Sequence, residues 1–120
     1  MKLVFVGVHQ EAAAPFRDLL SGPFRPAALV TMPAESAVRV SGAVDLAATA
    51  RAAGIPLCLT DNVNNPECVA FIRAIAPDVL LVVGWTQLLK DELLAIPRLT
   101  LGFHASLLPK YRGRAPINWA

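Results

Sequence analysis

Apolar residues along the chain gather into five short runs, separated by stretches with helical spacing or turn chemistry. The first, Lys2 to Val8, is β-branched and apolar at successive positions and is ended by Gly7 and the polar His9-Gln10-Glu11. A run that does not alternate predicts a strand buried on both faces. Phe16, Leu19 and Leu20 then recur at the spacing of a short helix, closed by Ser21-Gly22-Pro23. Ala27 to Met32 predicts a second strand, ended by Pro33. Ser41 reads as the N-cap of an Ala-rich helix over 42–53, with Gly54 as its stop, and Ile55 to Leu59 predicts a third strand.

Asn64-Asn65-Pro66-Glu67 is a helix start with a mechanism: an Asn side chain caps free N–H groups, Pro fits the first turn and Glu complements the dipole. Cys68, Val69, Ile72, Ile75 and Ala76 form one apolar stripe, and Pro77 ends the helix. Val79 to Val83 is the most strand-like run, followed by Gly84-Trp85; a helix over 88–94 stops before Pro97, and Leu99 to Phe103 predicts a fifth strand. Strands that alternate with helices and are apolar throughout predict an α/β fold, a Rossmann-like, doubly wound, mostly parallel sheet with helices on both faces. Ligands of such sheets sit outside the carboxyl ends of the strands, which draws His9, Trp85 and His104 toward one edge.

Composition narrows this picture. In 120 residues, 55% are hydrophobic and 17% charged, which excludes a disordered chain and leaves room for one domain. No apolar run approaches the roughly 20 residues of a membrane span, and the amino terminus does not read as a signal peptide. Cys58 and Cys68 fall inside a strand and a helix and read as buried thiols rather than a bridge, so the expected compartment is the cytoplasm. Residues 1–92 carry seven basic and all nine acidic side chains, net −2, whereas Arg98, Lys110, Arg112 and Arg114 give residues 93–120 a net +4. The basic end is the place to seek an anionic partner, the alternative being a solvated loop.

The chemistry is restricted by what is missing. Gly7 stands alone in GVHQEA, so no G-x-G-x-x-G turn supports a nicotinamide or flavin, and no P-loop pattern is present. His9 and His104 lie far apart without neighbouring Cys or carboxylate, so no metal is expected.

The run HASLLPKYRGRAPINWA, residues 104–120, closely resembles the signature of the 10-formyltetrahydrofolate-dependent formyltransferases, in wording most like the methionyl-tRNA and amino-sugar types. The likeness extends over the whole chain, through PLCLTDNVNNPECVAFIRAIAPDVLLVVGWTQLLKDELL and, more weakly, MKLVFVGVHQEAAAPFRDLL. It implies transfer of a formyl group from 10-formyltetrahydrofolate, as co-substrate, to a primary amine on methionyl-tRNA or a nucleotide sugar. The family uses an Asn-x-His pair and a downstream Asp. His104 matches the histidine, which donates to the oxyanion, or else caps the strand end. Gly102 stands where the family has Asn, and no acid follows Glu92, so the chain reads as the N-terminal part of a formyltransferase domain, with a non-catalytic folate-binding or regulatory module as the alternative. By the same resemblance, Val83, Gly84, Trp85 and Leu88, with Ser106, Leu107, Leu108 and Pro109, hold the folate, Trp85 reading equally as core. Lys110, Arg112 and Arg114 meet phosphates of a tRNA acceptor end or nucleotide sugar. Gly113 allows a tight loop, and Asn118 bonds substrate or caps a helix.

Overall fold

The computed structural model describes residues 1–103. Five parallel strands, β1 (Leu3–Val6), β2 (Ala28–Thr31), β3 (Leu57–Leu59), β4 (Val79–Val83) and β5 (Leu99–Phe103), lie in the order β3-β2-β1-β4-β5. Between them run α1 (Ala13–Ser21), entered through a 3-10 turn over Gln10–Ala12, then α2 (Ala34–Ala37), α3 (Leu46–Ala52), α4 (Pro66–Ile75) and α5 (Asp91–Leu94). The doubly wound, Rossmann-like architecture expected from the pattern is present. No helix among the described residues is long and apolar enough to cross a membrane.

Strand chemistry explains the two layers. Because successive residues face opposite sides, an all-apolar strand feeds two cores at once. Leu3 and Phe5 of β1, with Val79 and Val83 of β4, pack with Phe16 of α1 and Leu46 and Ala50 of α3. Val4, Val6 and Leu80 pack with Cys68, Val69 and Ile72 of α4 and Leu93 of α5. The Phe5 and Phe16 rings meet at a centroid distance of 5.1 Å and an angle of 52°, within the range that favours tilted aromatic pairs. At the amino edge the Lys2 amide donates to an Asp78 carboxylate oxygen at 2.8 Å, and the Asp78 amide returns a bond to the Lys2 carbonyl at 2.9 Å. These contacts set the register in which Leu3 to Val6 face Val79 to Val82.

The start of α4 follows its sequence. Asn65 Oδ1 accepts from the amides of Glu67 (2.8 Å) and Cys68 (3.4 Å), with Pro66 in the first turn. Elsewhere the structure corrects the expectations. Ser41 is not a cap: Asp45 caps α3, accepting from the Ala48 amide at 3.1 Å, and the helix begins at Leu46. The intervening residues serve another purpose, since Gly42 takes a φ of 75° and Ala43 bridges to His9. The helix expected over 88–94 is confined to Asp91–Leu94, and α2 was not anticipated. Ala76 leaves the apolar stripe and instead ends α4 in the left-handed region, φ 53°, exposed to solvent.

Candidate active site

The strand order reverses direction at β1: the chain proceeds from β1 outward to β2 and β3, then returns to add β4 and β5 on the other side. The crevice between the carboxyl ends of β1 and β4 is therefore the switch point, the preferred ligand position in this architecture. Two glycines shape it. A Cβ on Gly7 would stand 2.5 Å from the Val83 carbonyl oxygen and 2.9 Å from Ala12 Cβ, so only glycine lets the strand ends approach this closely. Gly84 adopts a φ of 65°, and a Cβ there would lie 3.0 Å from His9 Cβ. The Gly84 carbonyl accepts from both the Val8 (3.0 Å) and His9 (3.2 Å) amides, stapling the two loops together.

His9 reaches this edge as expected. Its Nδ1 lies 3.0 Å from the Ser41 carbonyl oxygen, which can only accept, so Nδ1 carries the proton and Nε2 keeps its lone pair in the neutral ring. The Gln10 amide donates to the Gly42 carbonyl and the Val44 amide to the Val8 carbonyl, each at 2.8 Å, clipping the loop after α2 to the same rim.

The loop after β4, residues 84–90, is held from outside by side chains that the motif reading did not single out for this role. Gln87 Oε1 accepts from the Val63 amide at 2.8 Å while its Nε2 donates to the Asp61 carbonyl. Asn64 Nδ2 donates to the Leu88 carbonyl and its Oδ1 accepts from the Lys90 amide, both at 2.8 Å. Two amides thus mimic a strand pairing between the loops after β3 and β4. The only sequence hint was the polar cluster Asp61-Asn62-Asn64-Asn65 itself, because the partners lie 24 to 26 residues away.

Of the folate candidates, Val83 is buried in the layer with Phe5 and Phe16, and Gly84 forms the staple. Trp85 is half-buried against the layer of α4, and its Nε1–H is buried without an acceptor among the described residues. Leu88 is 89% exposed. On the neighbouring strand, Gly102 pairs with Val82 and Phe103 with Val83, so β5 ends beside Gly84. A Cβ on Gly102 meets no atom of the described residues within 4 Å. His104, Ser106, Leu107, Leu108, Pro109, Lys110, Arg112, Gly113, Arg114 and Asn118 lie outside the described residues.

Two clefts open elsewhere. One of about 440 Å³ lies over the ends of β2 and β3 between Met32, Val38, Val44 and Leu59. Another of about 310 Å³ surrounds the exposed Arg73–Glu92 ion pair at 3.6 Å. Neither includes the switch-point residues. Among the described residues no cluster of three or more His, Cys, Asp or Glu side chains is arranged to hold a metal ion.

A parallel, doubly wound sheet with a glycine-built switch point defines a Rossmann-like α/β protein. Comparison with known proteins narrows that class. The family model described as formyl transferase matches residues 27–120, and the chain belongs to that family. It is 41% identical over 124 residues to the methionyl-tRNA formyltransferase of Acidobacterium capsulatum, covering 100% of this chain and 40% of that protein. To the enzyme of the same name from Thermotoga maritima it is 33% identical over 121 residues, covering 98% of this chain and 39% of that protein. The chain thus spans about two fifths of the length of these relatives. Its fold is similar to that of glycinamide ribonucleotide transformylase 1 from Geobacillus kaustophilus, with a TM-score of 0.74 at 21% identity, covering 98% of this chain and 65% of that one.

Proposed function

We propose that the chain carries the folate-binding part of an enzyme that transfers a formyl group from 10-formyltetrahydrofolate to a primary amine. Residues 1–120 then form the N-terminal part of a cytoplasmic formyltransferase domain. The observation that carries this reading is the stapled loop 84–90 at the switch point, beside the end of β5, in a chain of the formyl transferase family. The half-buried Trp85, whose N–H has no acceptor among the described residues, and the exposed Leu88 fit a flat heteroaromatic ring with acceptor atoms better than a phosphate. Val83 and Gly84 set the position of that loop, and Ser106, Leu107, Leu108 and Pro109 complete the folate surface.

The co-substrate supplies an electrophilic formyl carbon. His104, which follows β5 directly, donates to the oxygen on which negative charge develops. Lys110, Arg112 and Arg114 neutralise phosphates of the amine-bearing substrate, Gly113 allows its close approach, and Asn118 orients it. The identity to methionyl-tRNA formyltransferases favours a tRNA-borne amine, with a nucleotide-linked amino sugar as the competing acceptor.

The test is formyl transfer by the full-length protein to each acceptor, with His104→Ala as the control. Loss of one oxyanion donor typically costs about 10²–10³ in rate, so the variant should fall by that factor while folate affinity is retained. Absence of transfer to either acceptor by the unsubstituted protein overturns the proposal.

A second reading, a non-catalytic folate-binding or regulatory module, is favoured by one observation. Among the described residues nothing packs where a Gly102 side chain would stand, yet glycine removes the side chain that the family's Asn would offer. Gly102→Asn separates the two. A gain in rate identifies a slow enzyme, whereas unchanged folate binding without turnover identifies the module.

A further inference from the structure

We propose that the cleft over the carboxyl ends of β2 and β3 binds the nucleoside end of the acceptor substrate, with the base among its aliphatic walls and the ribose hydroxyls on Glu35. The proposal rests on the acceptor being nucleotide-borne, as a tRNA terminus or a nucleotide sugar. The cleft measures about 440 Å³, the size of a small-molecule site rather than of a protein interface. Its apolar walls are Met32 after β2, Val38 after α2, Val44 before α3 and Leu59 at the end of β3. Val38 is 82% and Leu59 42% exposed. Scattered apolar side chains are ordinary on a surface, but these two share one concavity with Met32 and Val44 and stand beside charged groups, the pattern of a ligand groove. A flat base laid among them is covered on both faces.

The charged lining decides which part of a nucleotide enters. Glu35 follows shortly after the end of β2, the region from which doubly wound sheets present a carboxylate to ribose hydroxyls. Asp45 Oδ1 is committed to the Ala48 amide, whereas the Glu35 carboxylate has neither a hydrogen bond nor an ion pair among the described residues. A carboxylate can only accept, so it takes hydroxyl donors. Arg51, the one cation of the lining, is likewise outside any ion pair among the described residues and can only donate, which suits a carbonyl of the base. Two carboxylates against one guanidinium disfavour phosphate, so the phosphate end of the nucleotide leaves the cleft.

The path out of the cleft is set by the strap 42–44. Ala43 lines the cleft and bridges to His9, and Val44 lines it while its amide donates to the Val8 carbonyl at 2.8 Å. The strap is therefore a wall of the cleft on one side and part of the switch-point rim on the other. A nucleoside held in the cleft directs its phosphates, and the amine beyond them, across this strap toward the crevice at Gly7 and Gly84.

The test titrates UMP and AMP into the full-length protein carrying isotope-labelled Met, Val and Leu methyl groups, read by nuclear magnetic resonance. The methyl signals of Met32, Val38, Val44 and Leu59 should move together and saturate. Tighter binding of AMP identifies the terminal adenosine of a tRNA as the source, and tighter binding of UMP a nucleotide sugar. Dideoxy-UMP, which lacks both ribose hydroxyls, should bind about 10- to 100-fold more weakly than UMP, the worth of a hydrogen bond to a charged group. Glu35→Ala should weaken UMP by the same factor and leave the dideoxy compound unchanged. Val38→Trp fills the cleft from an exposed position and should remove the methyl shifts. Methyl signals that stay still with both nucleotides, equal affinity for UMP and its dideoxy form, or shifts that come from concentrating the protein alone, the mark of a second copy, would overturn the proposal. Formyl transfer is measured on the same preparation. Transfer with a silent cleft defeats this proposal alone, whereas a nucleotide seated in the cleft without transfer to either acceptor defeats the formyl-transfer reading alone.

Discussion

Replacing Gln87 by Ala removes the side chain that bridges the loops after β3 and β4. Its two bonds are not equivalent. The Val63 amide, which donates to Oε1 at 2.8 Å, belongs to a residue with 0% exposure, so after substitution it faces no water. A buried donor left unpaired costs about 1–3 kcal/mol. The Asp61 carbonyl, which accepts from Nε2, belongs to an exposed residue and recovers a water partner, so its loss adds at most about 1 kcal/mol. The sum is about 1–4 kcal/mol. Asn64→Ala also removes two interloop bonds, but to the exposed Leu88 and Lys90, and should cost no more than about 1.5 kcal/mol. Urea unfolding of the full-length protein, with the slope unchanged between variants, reads both values. The reasoning requires Gln87→Ala to cost clearly more than Asn64→Ala. Equal costs, or the reverse order, would refute the claim that burial of the Val63 amide decides the matter.

Gly7→Ala drives a methyl into the Val83 carbonyl and Ala12; overpacking of this kind costs about 1–3 kcal/mol, and parting the staple to Gly84 should add to it, read as a lower thermal midpoint. Ala76→Gly should stabilise by about 0.5–1 kcal/mol in urea unfolding, because glycine occupies φ 53° without the Cβ clash that alanine bears. The Thr31 hydroxyl is buried without a hydrogen-bond partner among the described residues, so Thr31→Val should be neutral or stabilising by about 1 kcal/mol; a clear loss of stability would mean that the hydroxyl has a partner.

The five strands were legible because each is rich in apolar residues and bounded by turn chemistry, and α4 because Asn65-Pro66-Glu67 writes its start in local chemistry. The boundaries that failed did so where distant contacts override local preference. Ser41 has the chemistry of a cap, but its carbonyl is committed to His9, and the helix waits for Asp45. The interloop bonds of Gln87 and Asn64 escaped notice for a related reason: an amide that bonds backbone 24 to 26 residues away leaves no periodic signal. The switch-point position of His9 and Trp85 was accessible from topology alone, since alternating strands and helices already fix which edge collects the loops.

The register of β1 against β4 also bears on how the site comes into being. β1 is synthesised first, yet it lies between β2 and β4, and the bond from the Lys2 amide to Asp78 spans 76 positions. As the chain leaves the ribosome, β2 and β3 can join one side of β1 early, while its other side stays open until α4 and β4 have emerged. Contacts of such long range are slow to form, and apolar surface exposed meanwhile favours misassembly. The crevice at Gly7 and Gly84 is thus assembled late in folding, when the second half of the sheet closes on the first.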